Sequence, residues 1–176
     1  VGTPRVAYKE SIAGEAQATG EHKKQSGGRG QYGVATVRVA PITPEEAEEQ
    51  ELEYKEGVAF KDSIVGGVIP REYIPSIAYG ARQTAQTGVL AGYPVLGVLV
   101  ELLDGKYHEV DSSQVAFEMA GSLAFKEATR KAKLQLQEPI MRVTITTPDE
   151  FFGNVSGDLN RRRALIAGSE ERGNTR

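Results

Sequence analysis

Apolar and polar residues alternate strictly across "YGVATVRVAPI", with Ala35, Val37 and Val39 on one side and Val34, Thr36 and Arg38 on the other. A period of two predicts a strand that lays one face on a core. Residues 4–19 alternate more loosely around Val6, Tyr8 and Ile12, which predicts one or two strands before it. Between them lies "EHKKQSGGRGQYG", residues 21–33, the expected tip of a long hairpin-like connection. Pro41 and Pro44 end the strand, and the glutamates of "EEAEEQELE" at 45–53 read as an exposed loop or frayed turn. "YKEGVAFKDSI" reads as a further strand and "VGGVIP" as a turn. Ile74, Ile77, Ala78, Ala81 and Ala85 keep helical spacing, with Pro75 suited to the first turn and Gly88 to the stop. The nearly continuous apolar run "GYPVLGVLVELLDG" predicts a strand covered on both faces, closed by a turn at Asp104-Gly105.

A second helix is marked from Asp111, which with Gln114 resembles a capping box. Ala116, Ala120, Ala124, Ala128 and Ala132 recur every four residues, and Phe117, Gly121 and Phe125 do so one step round. Small residues in a row let a helix lie close against a sheet. Lys126, Arg130, Lys131 and Lys133 crowd its C-terminal half, where positive charge opposes the helix dipole. The pattern then changes. Ile140, Val143 and Ile145 predict a strand, and Thr147-Pro148-Asp149-Glu150 a helix start, with Val155, Leu159 and Ile166 as its buried stripe. A strand and helix of this size cannot bury a core alone, so a boundary is expected near Gln137, with a second domain begun and incomplete.

Composition narrows the chemistry. The 176 residues carry a net charge of −3, which argues against a globally basic nucleic-acid binder. Positive charge is nonetheless gathered at Lys23, Lys24 and Arg29, at Arg130, Lys131 and Lys133, and at Arg161, Arg162 and Arg163. Local clusters of this kind can bind anions on an acidic protein. With no cysteine, disulfides and thiolate metal sites are excluded. His22 and His108 are the two histidines, too few and too far apart to suggest a metal site. No signal-peptide or membrane-spanning pattern is evident, and the first residue is Val1, so the chain reads as a piece of a longer protein.

Gly28-Arg29-Gly30-Gln31-Tyr32-Gly33 has the form G-x-G-x-x-G. A dinucleotide fingerprint needs a helix after it, and here an alternating strand follows. A kinase glycine loop would need H-R-D and D-F-G segments, which this sequence lacks, as it lacks a phosphate-binding P-loop. No serine–histidine–acid or paired-carboxylate arrangement can be argued from spacing, so no catalytic residue is nominated. The glycine stretch is better read as backbone laid bare for close approach to a phosphate or a shallow groove, with Lys23, Lys24 and Arg29 as countercharge. "DGKYHEVDSS" adds a cation, a ring and an imidazole at Lys106, Tyr107 and His108, residue types that stack on and hydrogen-bond to RNA.

"GTPRVAYKESI", "HKKQSGGRGQYG", "VGGVIPREYIPS", "LAGYP", "DGKYHEVDSS", "AFKEA", "EPIMRV" and "GDLNRRR", in this order, closely resemble the C-terminal part of the bacterial translation elongation factor G family. The resemblance implies an α+β architecture. Residues 1–136 would form a ribosomal protein S5 domain 2-like fold, a sheet with two packed helices and a left-handed crossover, matching the family's fourth domain. Residues 137–176 would open its ferredoxin-like fifth domain. It further implies a non-enzymatic, cytoplasmic module without cofactor or metal, while the parent factor would hydrolyse GTP with magnesium. The implied partner is the ribosome, with transfer RNA and messenger RNA moving from the A site to the P site. Gln25, Ser26, Gly27, Gly28, Arg29, Gly30 and Gln31 match the family's first tip loop, which faces the codon–anticodon duplex. Gly105, Lys106, Tyr107 and His108 match the second, with His108 the residue most tied to translocation. Arg161, Arg162 and Arg163 match a basic helix that touches the large subunit. Residues 40–60 are longer and more acidic than the family's usual connection, and are expected to face away from RNA. A ribosome-recycling or ribosome-protection relative stays open, as does a free-standing S5-like RNA-binding protein. A nucleotide-dependent enzyme would require the isolated chain to bind GTP, ATP or NAD.

Overall fold

The computed structural model describes residues 2–3, 5–25 and 27–173, and separates into two compact units, Val1–Pro139 and Ile140–Arg176. In the first unit the loose N-terminal alternation resolves into two strands, β1 (Lys9–Ile12) and β2 (Ala16–Lys24). The strictly alternating segment is β3 (Gln31–Pro41), and "YKEGVAFKDSI" folds as a small hairpin of β4 (Tyr54–Lys55) and β5 (Val58–Asp62). With β6 (Val98–Lys106) they form a mixed five-stranded sheet of order β2-β3-β6-β5-β4, in which β5 and β6 alone run parallel. The crossover between β5 and β6 contains α2 (Ile74–Thr87), which stops at Gly88 with φ 83°. The last strand, β7 (Leu134–Gln137), pairs antiparallel with β1 in a separate ribbon.

One face of the sheet carries α2 and α3 (Gln114–Lys131), with Ala35, Val37, Val39, Val58, Val98, Val100 and Leu102 beneath Ile77, Ala81, Phe117 and Phe125. All five alanines of the expected row are fully buried. Because strand side chains alternate, Ala59 and Leu99 point to the opposite face, where they join Ala40, Ile42 and Ala47 in a second cluster. The run "VLVELL" is therefore covered on both sides at its start, as its composition predicts.

Four expectations need correction. The glutamate-rich segment is not wholly an exposed loop or frayed turn: Pro44–Glu49 forms a helix, α1, with Ala47 completely buried, and only residues 50–53 follow as turn and loop. The reason is local. Thr43 Oγ1 accepts from Glu46 N at 3.1 Å, Glu46 Oε2 accepts from Thr43 N at 2.9 Å, and Pro44 stands in the first turn. Thr43→Ala is expected to cost about 1 kcal/mol, read as a lower urea midpoint, because it removes half of that reciprocal cap. Second, Asp104 and Gly105 do not turn; they continue β6, opposite Thr36 and Ala35 of the longer β3. Third, Ser113 rather than Asp111 caps α3, its side chain accepting from Ala116 N. Asp111 is held back by its own backbone bond to Tyr32, with Tyr32 N donating to Asp111 O at 2.9 Å.

The fourth correction concerns the second unit. Residues 140–146 form no strand; Ile140 is 99% exposed and Val143 66%. Alternation alone does not make a strand when no second strand among the described residues of the unit shares its hydrogen bonds. The helix begins with a 3-10 turn, Asp149–Phe151, and continues as α4 (Phe152–Arg161). Val155 and Leu159 are only half-buried, and Ile166 lies beyond the helix end. A unit this small has too little chain to cover a helix face. Its apolar side is left as an open groove bordered by Ile145, Phe151, Val155 and Leu159.

Candidate nucleic-acid interface

The two strands of the β2–β3 hairpin pair without interruption from Ala16↔Val39 to Lys24↔Gln31. Nine residues at about 3.3 Å each carry the connecting loop roughly 30 Å from the hairpin's base. Beside it runs α3, which at 18 residues is about 27 Å long, with Ser113 at the loop end and Lys131 at the base. The helix can lie this close because Gly20 of β2 faces the backbone of Ala120 and Ala124; a Cβ there would overlap both. The sheet and helix thus hold residues 25, 27–30 and 107–112 at the same end of the unit.

The two loops are bonded to each other. Arg29 donates from Nε and Nη2 to Val110 O at 3.1 and 2.9 Å. Ser112, 4% exposed, donates from Oγ to Tyr32 O at 2.8 Å and accepts from His108 N at 2.9 Å. The Tyr32 and His108 rings lie 6.0 Å apart, and Tyr107 sits 5.9 Å from Tyr73, which stacks on buried Phe117. Between the loops is an open groove of about 400 Å³, lined by Lys23, Lys24, Gln25, Gln31, Tyr32, His108 and Asp111.

Each nominated residue has a distinct place. Gln25, Gly27, Gly28 and Arg29 are exposed on the hairpin loop, and Ser26 lies outside the described residues. Gly27 and Gly28 have φ of 53° and 156°, and no atom stands within 4 Å of where their Cβ atoms would be. These glycines therefore serve the backbone path and leave an unobstructed main chain, rather than relieving any internal contact. Gly30 differs: its Cβ position is 3.1 Å from the Asp111 carboxylate of the other loop. Gln31 begins β3, its Oε1 2.7 Å from His22 Nε2. Lys106 ends β6 and is exposed, like Tyr107 and His108. Lys23 is engaged with Glu21 at 2.9 Å and lies over the Tyr32 ring; its ammonium is favoured chiefly by that carboxylate.

The three arginines of the second unit are not all helical. Arg161 is the last residue of α4, Arg162 caps it and pairs with Asp158 at 2.9 Å, and Arg163 turns away with φ 60°. The resemblance's basic helix is here a helix end followed by a turn. Sequence reasoning passed over Ser112, Tyr32 and Val110 as members of the site. Their role depends on main-chain atoms of the opposite loop, which no motif encodes; the serines after Asp111 were the one available signal. Among the described residues no group of three or more histidine, aspartate or glutamate side chains is placed to hold a metal, and no helix is long and apolar enough to cross a membrane.

Comparison with known proteins adds an independent line. The family model for elongation factor G, domain IV, matches residues 4–133, and that for the elongation factor G C-terminus matches residues 135–176. Elongation factor G of Aquifex pyrophilus is 52% identical over 174 residues, covering 99% of this chain and 24% of the relative. A crystal structure of a Thermus thermophilus protein is similar at a TM-score of 0.79 and 42% identity, covering 98% of this chain and 24% of that one. The chain spans about a quarter of the length of both.

Proposed function

The chain belongs to the elongation factor G family, and on that premise we propose that it is the RNA-facing arm of a translational GTPase that moves transfer RNA and messenger RNA from the A site to the P site of the ribosome. Residues 1–136 act as the fourth domain and 137–176 as the opening of the fifth. The arm catalyses nothing; GTP hydrolysis with magnesium belongs to other parts of the factor, which works in the cytoplasm.

The observation that carries this reading is the convergence of two loops at one end of a stiff helix–hairpin pair, joined through Arg29, Ser112 and Tyr32. Bare main chain at Gly27 and Gly28 approaches the shallow minor groove of the codon–anticodon duplex. Lys24 and Lys106 supply countercharge to its phosphates. The tip then substitutes for ribosomal contacts to the duplex, which lets it move and blocks its return. Arg161, Arg162 and Arg163 lie in the second unit, where exposed cations suit large-subunit RNA. The acidic face of α1, with Glu45, Glu46, Glu48 and Glu49, belongs to a surface turned from RNA.

The test is single-turnover translocation by the full factor carrying His108→Ala. A slowing of about ten-fold is expected, the equivalent of one lost hydrogen bond of roughly 1.4 kcal/mol. A rate equal to that of the unsubstituted factor would overturn the assignment.

A further inference from the structure

Arg29 looks at first like one more phosphate-binding cation of the glycine loop. Its guanidinium is already committed: both Nε and Nη2 donate to the carbonyl of Val110, 81 residues further on. That same Val110 donates its N–H to His108 Nδ1 at 3.3 Å, and the next amide, Asp111 N, donates to the same nitrogen at 3.1 Å. From below, Ser112 Oγ accepts the His108 N–H, and Ser112 N donates to His108 O at 3.1 Å. The imidazole is therefore gripped on one side by main-chain amides. An atom that accepts two N–H groups carries no proton of its own, so the ring's hydrogen must reside on Nε2.

We propose that Arg29 is a positioning residue: it fixes the Val110 peptide so that His108 is held as the Nε2–H tautomer, presenting a single donor to an RNA acceptor such as a phosphate or ribose oxygen. This rests on the RNA-facing reading above and deepens it. The His108 side chain is 53% exposed, so the donor is accessible, and the Tyr32 ring at 6.0 Å limits how far the imidazole can swing. The Asp111 carboxylate, 3.7 Å from Nδ1, is the acid that faces this nitrogen and would favour the opposite arrangement if the amides let go. Arg29 is thus needed for its fork geometry, which locks one carbonyl, and not for its charge alone.

With two histidines in the chain, ring ¹⁵N spectra separate this role cleanly. At about pH 8, where an ordinary imidazole is neutral, His108 should show a pyridine-like Nδ1 and a pyrrole-like Nε2. Arg29→Ala should move both resonances toward the tautomer average, while His22 serves as internal reference. Arg29→Lys keeps the charge but not the fork, and its spectrum should lie nearer that of Arg29→Ala than of the parent. In the full factor, Arg29→Ala and Arg29→Lys should each slow translocation by about five-fold, and neither should slow a His108→Ala factor further, because residues acting as one unit are non-additive. An unmoved His108 spectrum in both variants overturns the brace, as does an Arg29→Lys factor at full speed beside a slowed Arg29→Ala factor. A shifted spectrum with no change of rate in any variant upholds the brace and overturns the RNA-facing reading instead.

Discussion

Gly80→Val is expected to be the most damaging single change in the first unit, lowering stability by more than about 3 kcal/mol. Helices α2 and α3 cross with Gly80 against the main chain of Glu118 and Gly121 against that of Ile77. A Cβ on either glycine would overlap a carbonyl oxygen of the facing helix, and backbone has no rotamer through which to withdraw. The helices would have to part, unseating Ile77 and Phe117 from the core and breaking the 2.6 Å contact of Thr84 Oγ1 with Ser122 Oγ. For a chain of this size the loss corresponds to a melting point about 6–12 °C lower. Gly153→Ala is the control. Nothing lies within 4 Å of its Cβ, and it sits inside α4, so alanine should be neutral or stabilising by up to about 1 kcal/mol. A Gly80→Val protein melting with the parent would refute the close crossing.

Glu10→Gln is the second large effect, and it comes with a pH signature. Glu10 is fully buried on β1, yet its carboxylate accepts four main-chain amides: Val89 and Leu90 at Oε1, both at 2.7 Å, and Ala91 and Tyr93 at Oε2, at 2.8 and 2.9 Å. Burial by itself raises the carboxyl's pKa, but the four donors together hold it below the ordinary 4.5. A glutamine keeps the shape and leaves two of those amides facing an NH₂ group. About 3 kcal/mol should be lost at neutral pH, with faster amide exchange concentrated at residues 89–93. The sign follows from a folded pKa below the unfolded one. The carboxylate's contribution is complete above about pH 4.5 and fades as pH falls through the lower folded value. The parent should therefore lose stability on acidification in that range, and Glu10→Gln should lose less over the same interval. Identical acid profiles would show that Glu10 is not the group responsible. Glu101 reinforces the trend; the Ser63 hydroxyl first, and then Arg38, hold its carboxyl low.

What the sequence disclosed was set by how local each signal is. The alternation of Ala35, Val37 and Val39 and the four-residue recurrence from Ala116 to Ala132 are properties of a single element, and each element is where its period places it. The capping box at Thr43 and Glu46 was equally local, but the density of glutamate around it suggested solvent rather than a helix. Asp111 and Ser113 are both able caps, and what decides between them is Tyr32, far away on β3. Glu10 shows the limit most clearly, since its partners lie 79 to 83 positions along the chain. The same holds at the candidate site. Glycine content announced a bare tip, whereas the tie from Arg29 to Val110 exists only once β3 and β6 have paired. Residues 140–145 fail in the other direction, carrying a strand's pattern without a partner strand among the described residues.

The β1–β7 ribbon has one more consequence. Lys9 and Gln137 are antiparallel neighbours, so the backbone enters and leaves this unit through adjacent doorways roughly 5 Å apart. A body built that way is a cassette: it can be grafted into a surface bend of an unrelated host without stretching either junction, or stitched head to tail by a few residues into a closed ring.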